Sequence, residues 1–383
     1  MPEKRYLVTP GPTPVPPEVL AATAVPMIHH RSPDFRGTLA RIIERLKEVF
    51  RTENEMLTFT SAGTGVMESA VANLCVPGDR VLVVSHGYFG ERFAAMAKVY
   101  GCDLTHMRYA WGDTPVPDEI ADKLEEMGGA NVVFLTHSDT STGVVSDLRA
   151  IAERLNGTDA ILVVDAISSL AAVPLDTDAW GLDVVITSSH KALMCPPGLA
   201  FASVSERALE TARGGSPRFY FDWERTREAQ HRGENPFSPA ISLYLGLDVA
   251  LEMILSAGLE SAFERHVRLG RACRAGVKAM GLDLFSPDED RAVVVTAIRM
   301  PENVDGQAVV LAMRERSGVT IIGGQGEVRG KIVRIGHIGY VDVFDVTTAL
   351  AALELAMAEA GADIERSVAV TAALDAYNEP VHA

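Results

Sequence analysis

Six short apolar runs, spaced by segments of helical period, constrain the fold of this 383-residue chain more than any other feature. The runs are Met56–Thr60, Arg80–Val84, Asp103–Arg108, Asn131–Thr136, Ala160–Asp165 and Val184–Thr187. Between them, Gly65–Leu74, Glu91–Val99, Asp118–Met127 and Leu148–Leu155 carry apolar residues at helical spacing. Strands that alternate with helices predict an α/β fold, a mainly parallel sheet covered on both faces. Past Ala257-Gly258 the rhythm changes. Helical segments at Ser261–Ala279, Asp305–Ser317 and Phe344–Ala360 flank strands at Ala292–Met300 and Lys331–Gly336, which reads as a smaller α+β unit. The expected organisation is a proline-rich arm over residues 1–19, a large domain over 20–258 and a small domain over 259–383. The last twenty residues show no clear pattern and are expected to fray.

Charge narrows the function. Asp plus Glu outnumber Lys plus Arg by 51 to 35, a net charge of −16, so phosphate backbones and anionic membranes would be repelled. No run approaches the roughly 18 apolar residues of a membrane span, and the first residues lack the apolar core of a signal peptide. The four cysteines, Cys75, Cys102, Cys195 and Cys273, form no Cys-x-x-Cys pair, and no His/Asp/Glu cluster has metal-ligand spacing. A reducing, cytoplasmic setting and the absence of a metal are the expectations. Cys195 reads as a small apolar packing residue rather than a nucleophile.

Ligands of an open α/β sheet bind where its strands end, and three polar groups collect there. Ser61-Ala-Gly-Thr-Gly65 follows the first run and opens a helix. Free N–H groups and the helix dipole suit a phosphate, although a tight turn with Thr64 as N-cap is the bland alternative. Asp165 ends a strand in Val164-Asp-Ala-Ile-Ser-Ser169, where a buried carboxylate needs a cation unless it merely caps a helix. Lys191 follows Ser188-Ser-His190; a solvated lysine is the common case, but a buried one has a depressed pKa and can form a Schiff base. Phosphate cradle, aspartate and lysine in that order suit pyridoxal phosphate, with its pyridine nitrogen on the Asp and its aldehyde on the Lys.

With these motifs the chain resembles the class V, fold-type I pyridoxal-phosphate aminotransferases, in the branch of the alanine–glyoxylate and serine–pyruvate enzymes. The resemblance runs from Leu7 to about Leu355. It rests on Thr9-Pro-Gly-Pro-Thr-Pro-Val-Pro-Pro17, His30-Arg-Ser-Pro-Asp-Phe35, Ser61–Glu68, His86-Gly-Tyr-Phe-Gly-Glu-Arg92 and His137-Ser-Asp-Thr-Ser-Thr-Gly-Val144. Val164–Ser169, Ser189-His-Lys-Ala-Leu193 with Pro196-Pro-Gly198, and Val333-Arg-Ile-Gly336 complete the set.

The resemblance implies roles. Lys191 would be the Schiff-base lysine and Asp165 the partner of the pyridine nitrogen. Ala62, Gly63 and Thr64 would hold the phosphate, helped by His190. Phe89 would stack on the ring, with Tyr88 as the rival; Thr140 would meet the ring hydroxyl, and Ile167 would pack the opposite face. Gly11 would touch the substrate and Arg334 would bind its carboxylate. The family is usually a homodimer whose partner subunit offers a Tyr and a Thr to the phosphate. By spacing from Pro239-Ala-Ile-Ser-Leu-Tyr244, those positions hold Glu234 and Phe237, so Glu234 is expected to point elsewhere and Ser238 to substitute.

The implied reaction moves an amino group from alanine or serine to glyoxylate or pyruvate. No second arginine is placed by the motifs beside Arg334, which disfavours a dicarboxylate donor. Aspartate and aminoethylphosphonate transaminases and pyridoxal-phosphate lyases are the alternatives. A desulfurase is disfavoured because Gly318–Gly330 contains no cysteine, and a non-catalytic binding module or nucleotide-dependent oxidoreductase lies outside this chemistry. Gly323-Gly-Gln-Gly-Glu-Val-Arg-Gly330 imitates a dinucleotide loop but precedes a strand, so it reads as a loop beside Arg334.

Overall fold

A computed structural model describes residues 4–212 and 216–381. Its centre is a seven-stranded sheet in the order Glu55–Phe59, Ala200–Val204, Val184–Ser188, Ile161–Asp165, Val132–Thr136, Arg80–Ser85, Asp103–Arg108. The last five of these run parallel to one another. All six strands expected from the apolar runs are present. The seventh, Ala200–Val204, was not anticipated; it runs antiparallel to both its neighbours, with Ala200 opposite Ser188 and Phe59.

The central strands are buried throughout because both faces of the sheet are covered. Alternate residues enter opposite cores. Val133, Leu135, Leu162, Val164 and Val185 join Phe35, Leu39, Ile42 and Leu46 of helix Pro33–Phe50 on one side. Val132, Phe134, Ile161, Val163 and Ile186 meet helices Gly63–Leu74 and Tyr88–Val99 on the other. A one-residue register slip would exchange these two sets, so the pairing Thr136–Asp165–Ile186 at the strand ends is strongly specified.

Helix Ile241–Ala257 gives way to helix Leu259–Ala279 at Gly258, whose φ of 88° few other residues adopt. The following unit carries an antiparallel sheet in which Ile332–Gly336 lies between Val295–Arg299 and Ile322–Gly323. Its core gathers Leu269, Val277, Ile298, Val333, Ile335, Leu350 and Leu353. Val8 belongs to the same core, and Tyr6–Leu7 pairs in parallel with Val319–Thr320. The N-terminal arm is thus stitched to this unit before it crosses to the large sheet.

The expectation that the last twenty residues fray is corrected. Ala369–Asn378 is a helix whose Ala369 and Ala373 are fully buried in that core. Leu374 and Tyr377 pack against the same core, so the stripe runs through Ala369, Ala373 and Tyr377, and its two small residues make it faint in the sequence. Among the described residues no single helix is long and apolar enough to cross a membrane.

Candidate active site

The sheet delivers its polar groups to one place. A cavity of about 190 Å³ is lined by Gly11, Ala62, Gly63, Thr64, Met67, Phe89, Arg92, Ser138, Asp165, Ile167, Ser168, His190 and Lys191. Nine of the twelve residues expected to form the site are therefore brought together. Thr140, Ser238 and Arg334 are outside its wall.

Lys191 lies in the hairpin loop between Val184–Ser188 and Ala200–Val204. Ser189 pins that loop: its N–H donates to Leu199 O (3.0 Å) and its hydroxyl to Pro196 O (2.7 Å). The unanticipated antiparallel strand is what closes the loop and fixes the lysine. The proline arm clamps it from above, Thr13 Oγ1 donating to Lys191 O (3.2 Å). Lys191 Nζ donates to Pro10 O at 2.5 Å. A side chain on Gly11, whose φ is 141°, would collide with Lys191 Nζ and Cε, so only glycine lets the arm pass this close.

Burial lowers the Lys191 pKa to about 8; the charge of Arg334 acts the same way, and Asp165 opposes both. Cofactor-free protein should therefore react with a small aldehyde at a rate that rises with pH around 8 and levels off well below 10, where an ordinary lysine is still protonated. Borohydride trapping across a pH series measures this; a midpoint near 10.5 would show the amine to be solvated.

Asp165 closes its strand 4% exposed. Its Oδ1 accepts from Ile167 N (2.9 Å), and burial lifts its pKa to about 7. His190 shares a hydrogen bond with Ser188 Oγ (3.1 Å) and is held neutral, its pKa lowered to about 4 by burial and by Lys191. At the first turn of helix Gly63–Leu74, the N–H groups of Gly63 and Thr64 have no partner among the described residues. A Cβ on Gly63 would meet Ile167 Cδ1 at 2.8 Å, so the cradle needs glycine as well as a helix start. Phe89 faces the cavity, whereas Tyr88 is 41% exposed.

The residues outside the wall have definite places. Arg334 is 1% exposed, with Val333 and Ile335 turned into the core as strand alternation predicts. Its Nε and Nη2 donate to Gly323 O (3.1 and 2.7 Å) and its Nη1 to Thr140 O. Thr140 thus meets Arg334 through its carbonyl, and Ser138 of the same motif lines the cavity. Ser238 lies in a separate crevice with Tyr220, Asn235 and Phe237. Glu234 does point elsewhere: it pairs with Arg36 and, at 3.7 Å, with Arg31.

Three residues were missed. Ser138 is 4% exposed, faces the cavity and leaves its hydroxyl without a partner among the described residues. Asp139 is fully buried and caps helix Tyr88–Val99, its Oδ2 accepting from Phe89 N (3.0 Å) and Gly90 N (3.1 Å). It orients Phe89 from below. Both residues sit inside the His137–Val144 motif, where a serine and an aspartate past a strand end were the available signal. Arg92 reaches the cavity three residues beyond Phe89, one helical turn along the same face. It brings a guanidinium to the cavity at Thr64; the expectation concerned a second arginine beside Arg334, which lies outside the cavity wall.

A buried lysine and carboxylate at adjoining strand ends, with a glycine-lined helix start beside them, define a pyridoxal-phosphate enzyme. The Aminotransferase class-V family model matches residues 5–340. The chain belongs to that family and is a pyridoxal-phosphate-dependent aminotransferase. It is 36% identical to the L-aspartate–glyoxylate aminotransferase of Paracoccus denitrificans, over 99% of this chain and 98% of that one. It is 34% identical to the serine–glyoxylate aminotransferase of Methylorubrum extorquens, covering 97% and 96%. The ureidoglycine–glyoxylate aminotransferase structure from Bacillus subtilis superposes with a TM-score of 0.92 at 30% identity, covering 99% of each chain.

The cavity fits that cofactor on its own terms. The partnerless hydroxyl of Ser138, the unbonded N–H pair of Gly63 and Thr64, and two glycines that keep side chains out are what a polar, phosphorylated ring would need.

Proposed function

We propose that this aminotransferase takes an amino group from a small amino acid, serine or alanine, and passes it to glyoxylate or pyruvate. One observation carries the reading. Arg334 is a buried guanidinium with no carboxylate within salt-bridge distance among the described residues, and burial lowers its pKa to about 10. Three of its five N–H donors are spent on carbonyls, and a buried cation left uncompensated is costly. A substrate carboxylate would neutralise it, and amino donor and keto acceptor share that group.

The same reading assigns the other roles. Bound pyridoxal phosphate supplies an electron sink for the charge that develops at the substrate α-carbon. Lys191 Nζ, with a lowered pKa, is suited to take and return the α-proton. Asp165 would hold a negative charge near the ring nitrogen, Phe89 and Ile167 would pack against the ring, and Gly63, Thr64 and His190 would receive the phosphate. The main chain of Pro10 and Gly11 roofs Lys191, which leaves little room for a bulky donor side chain. The boundaries at residues 19/20 and 258/259 and a cytoplasmic setting belong to the same reading.

A panel of donors and acceptors on purified protein tests the substrate. Arg334→Lys is expected to raise KM for both donor and acceptor about tenfold or more, because an ammonium cannot reproduce the paired hydrogen bonds of a guanidinium. Unchanged KM values would take the carboxylate away from Arg334. Aspartate is the second reading, favoured by the likeness to an L-aspartate–glyoxylate aminotransferase. If aspartate is the best donor by a wide margin, the small-donor reading is wrong.

A homodimer completes the proposal. Phe219, Tyr220 and Phe237 form an exposed layer of rings, Tyr220 and Phe237 stacked at 5.2 Å, beside the crevice that holds Ser238. This layer is suited to lie against a second copy, whose phosphate site Ser238 would then close. Sedimentation should find a dimer in active preparations, and a fully active monomer would remove this part.

A further inference from the structure

Helix Gly63–Leu74 presents its N-terminal end to the cavity, and the partial positive charge there repels cations. Yet Arg92 directs its guanidinium at this end: Nη1 donates to Thr64 Oγ1 at 2.7 Å. No carboxylate lies within salt-bridge distance of Arg92 among the described residues. Its neighbours are instead the rings of Phe89, with the guanidinium carbon 5.0 Å from the centroid, and Tyr88, at 5.8 Å. Arg92 is half-buried, and a guanidinium held at the positive end of a helix, beside two unbonded main-chain N–H groups, is favoured by an anion between them.

We propose that Arg92 is the counter-ion of the cofactor phosphate, supplied from within the chain. The inference rests on the cofactor occupying this cavity. It also answers a deficit. The two positions where a neighbouring subunit would be expected to offer hydroxyls hold Glu234, which is neutralised by Arg36, and Phe237, which is stacked on Tyr220. A planar guanidinium can bond two phosphate oxygens at once, adding a charged group to the one hydroxyl that Ser238 of a second copy would bring. The stack on Phe89 holds the guanidinium plane while Thr64 Oγ1 sets its reach, so the residue that grips the phosphate also orients the residue that covers the ring.

Pyridoxal, which lacks the phosphate, separates this role from a merely structural one. Cofactor-free wild type, Arg92→Gln and Arg92→Lys are titrated with pyridoxal phosphate and with pyridoxal, read by the visible absorbance of the lysine-linked ring. Arg92→Gln should weaken pyridoxal phosphate at least tenfold and leave pyridoxal within about twofold of wild type. Arg92→Lys, which keeps the charge, should fall between. Equal losses for both ligands would mean that Arg92 only supports Phe89, and an unchanged affinity for pyridoxal phosphate would remove it from the phosphate altogether; either result overturns the proposal. Wild type that links neither ligand to Lys191 would instead overturn the placement of the cofactor, a separate failure.

Discussion

Lys191→Ala should lower transamination by about 10⁴-fold or more while leaving the fold intact. General acid–base catalysis by a placed group contributes about 10²–10⁴-fold, and in the proposed reading Lys191 would also form the covalent link, so two contributions would vanish with one side chain. It is the one lysine among the cavity-lining residues, and the other amino-acid bases there are poorly matched. His190 is neutral but tied to Ser188, with a pKa near 4 that makes it a weak base, and the Asp165 carboxylate is buried and accepts from Ile167 N. The fold should tolerate the change because the loop is held by Ser189, Pro196 and Thr13, whose bonds run to main-chain atoms. Two measurements check this. Steady-state turnover should fall to near background, and intact mass after borohydride reduction should show the cofactor's added mass on wild type and none on the variant. A variant that keeps a few per cent of wild-type turnover, or a reduced cofactor found on another residue, would remove Lys191 from the chemistry.

Lys191 and Asp165 were legible from sequence because each sits at the end of an apolar run, and a run buried on both faces has few ways to end except at the sheet's mouth. The same logic failed for Ala200–Val204. Its Ala-Phe-Ala-Ser-Val composition carries little β signal, and its strand state is set by two antiparallel partners far away in sequence. The helix Ala369–Asn378 was illegible for a related reason: two of its four core contacts, Ala369 and Ala373 beside Leu374 and Tyr377, are alanines, which give a weak hydropathy signal. Within the site, the residues that were missed act through tertiary approach. Ser138 becomes a cavity group because the chain turns after Val132–Thr136, and Asp139 acts on a helix fifty residues earlier. Arg92 is an ordinary helical arginine until the start of helix Gly63–Leu74 is laid beside it. Within the His137–Val144 motif, a pattern of neighbours does not say which side chain lines the cavity, and Ser138 does.

Asp165→Asn should retain cofactor and lose about three orders of magnitude in turnover. The amide keeps the shape and can still accept the Ile167 N–H bond, so packing is preserved. What it cannot carry is a charge. Two opposite charges about 4 Å apart at an effective dielectric near 20 attract by roughly 4 kcal/mol, and the loss of that much where it matters to the transition state is about a thousandfold in rate. A second readout separates this role from capping. In cofactor-free protein, burial raises the Asp165 pKa from 3.8 to about 7, so the folded state holds a proton that the unfolded state releases across that window. Stability from this group is then fully present below about pH 4 and is lost as pH rises through 7. Asparagine has no proton to lose. Cofactor-free Asp165→Asn should therefore melt above cofactor-free wild type at pH 8, with the gap closing toward pH 4. Bound cofactor should reverse the order at pH 8, since a ring nitrogen carrying positive charge favours the carboxylate. Thermal melts of both proteins at the two pH values, with and without pyridoxal phosphate, check all of this. If the variant turns over like wild type and the melting order ignores both pH and cofactor, Asp165 is a turn residue and the charge that the ring requires comes from elsewhere.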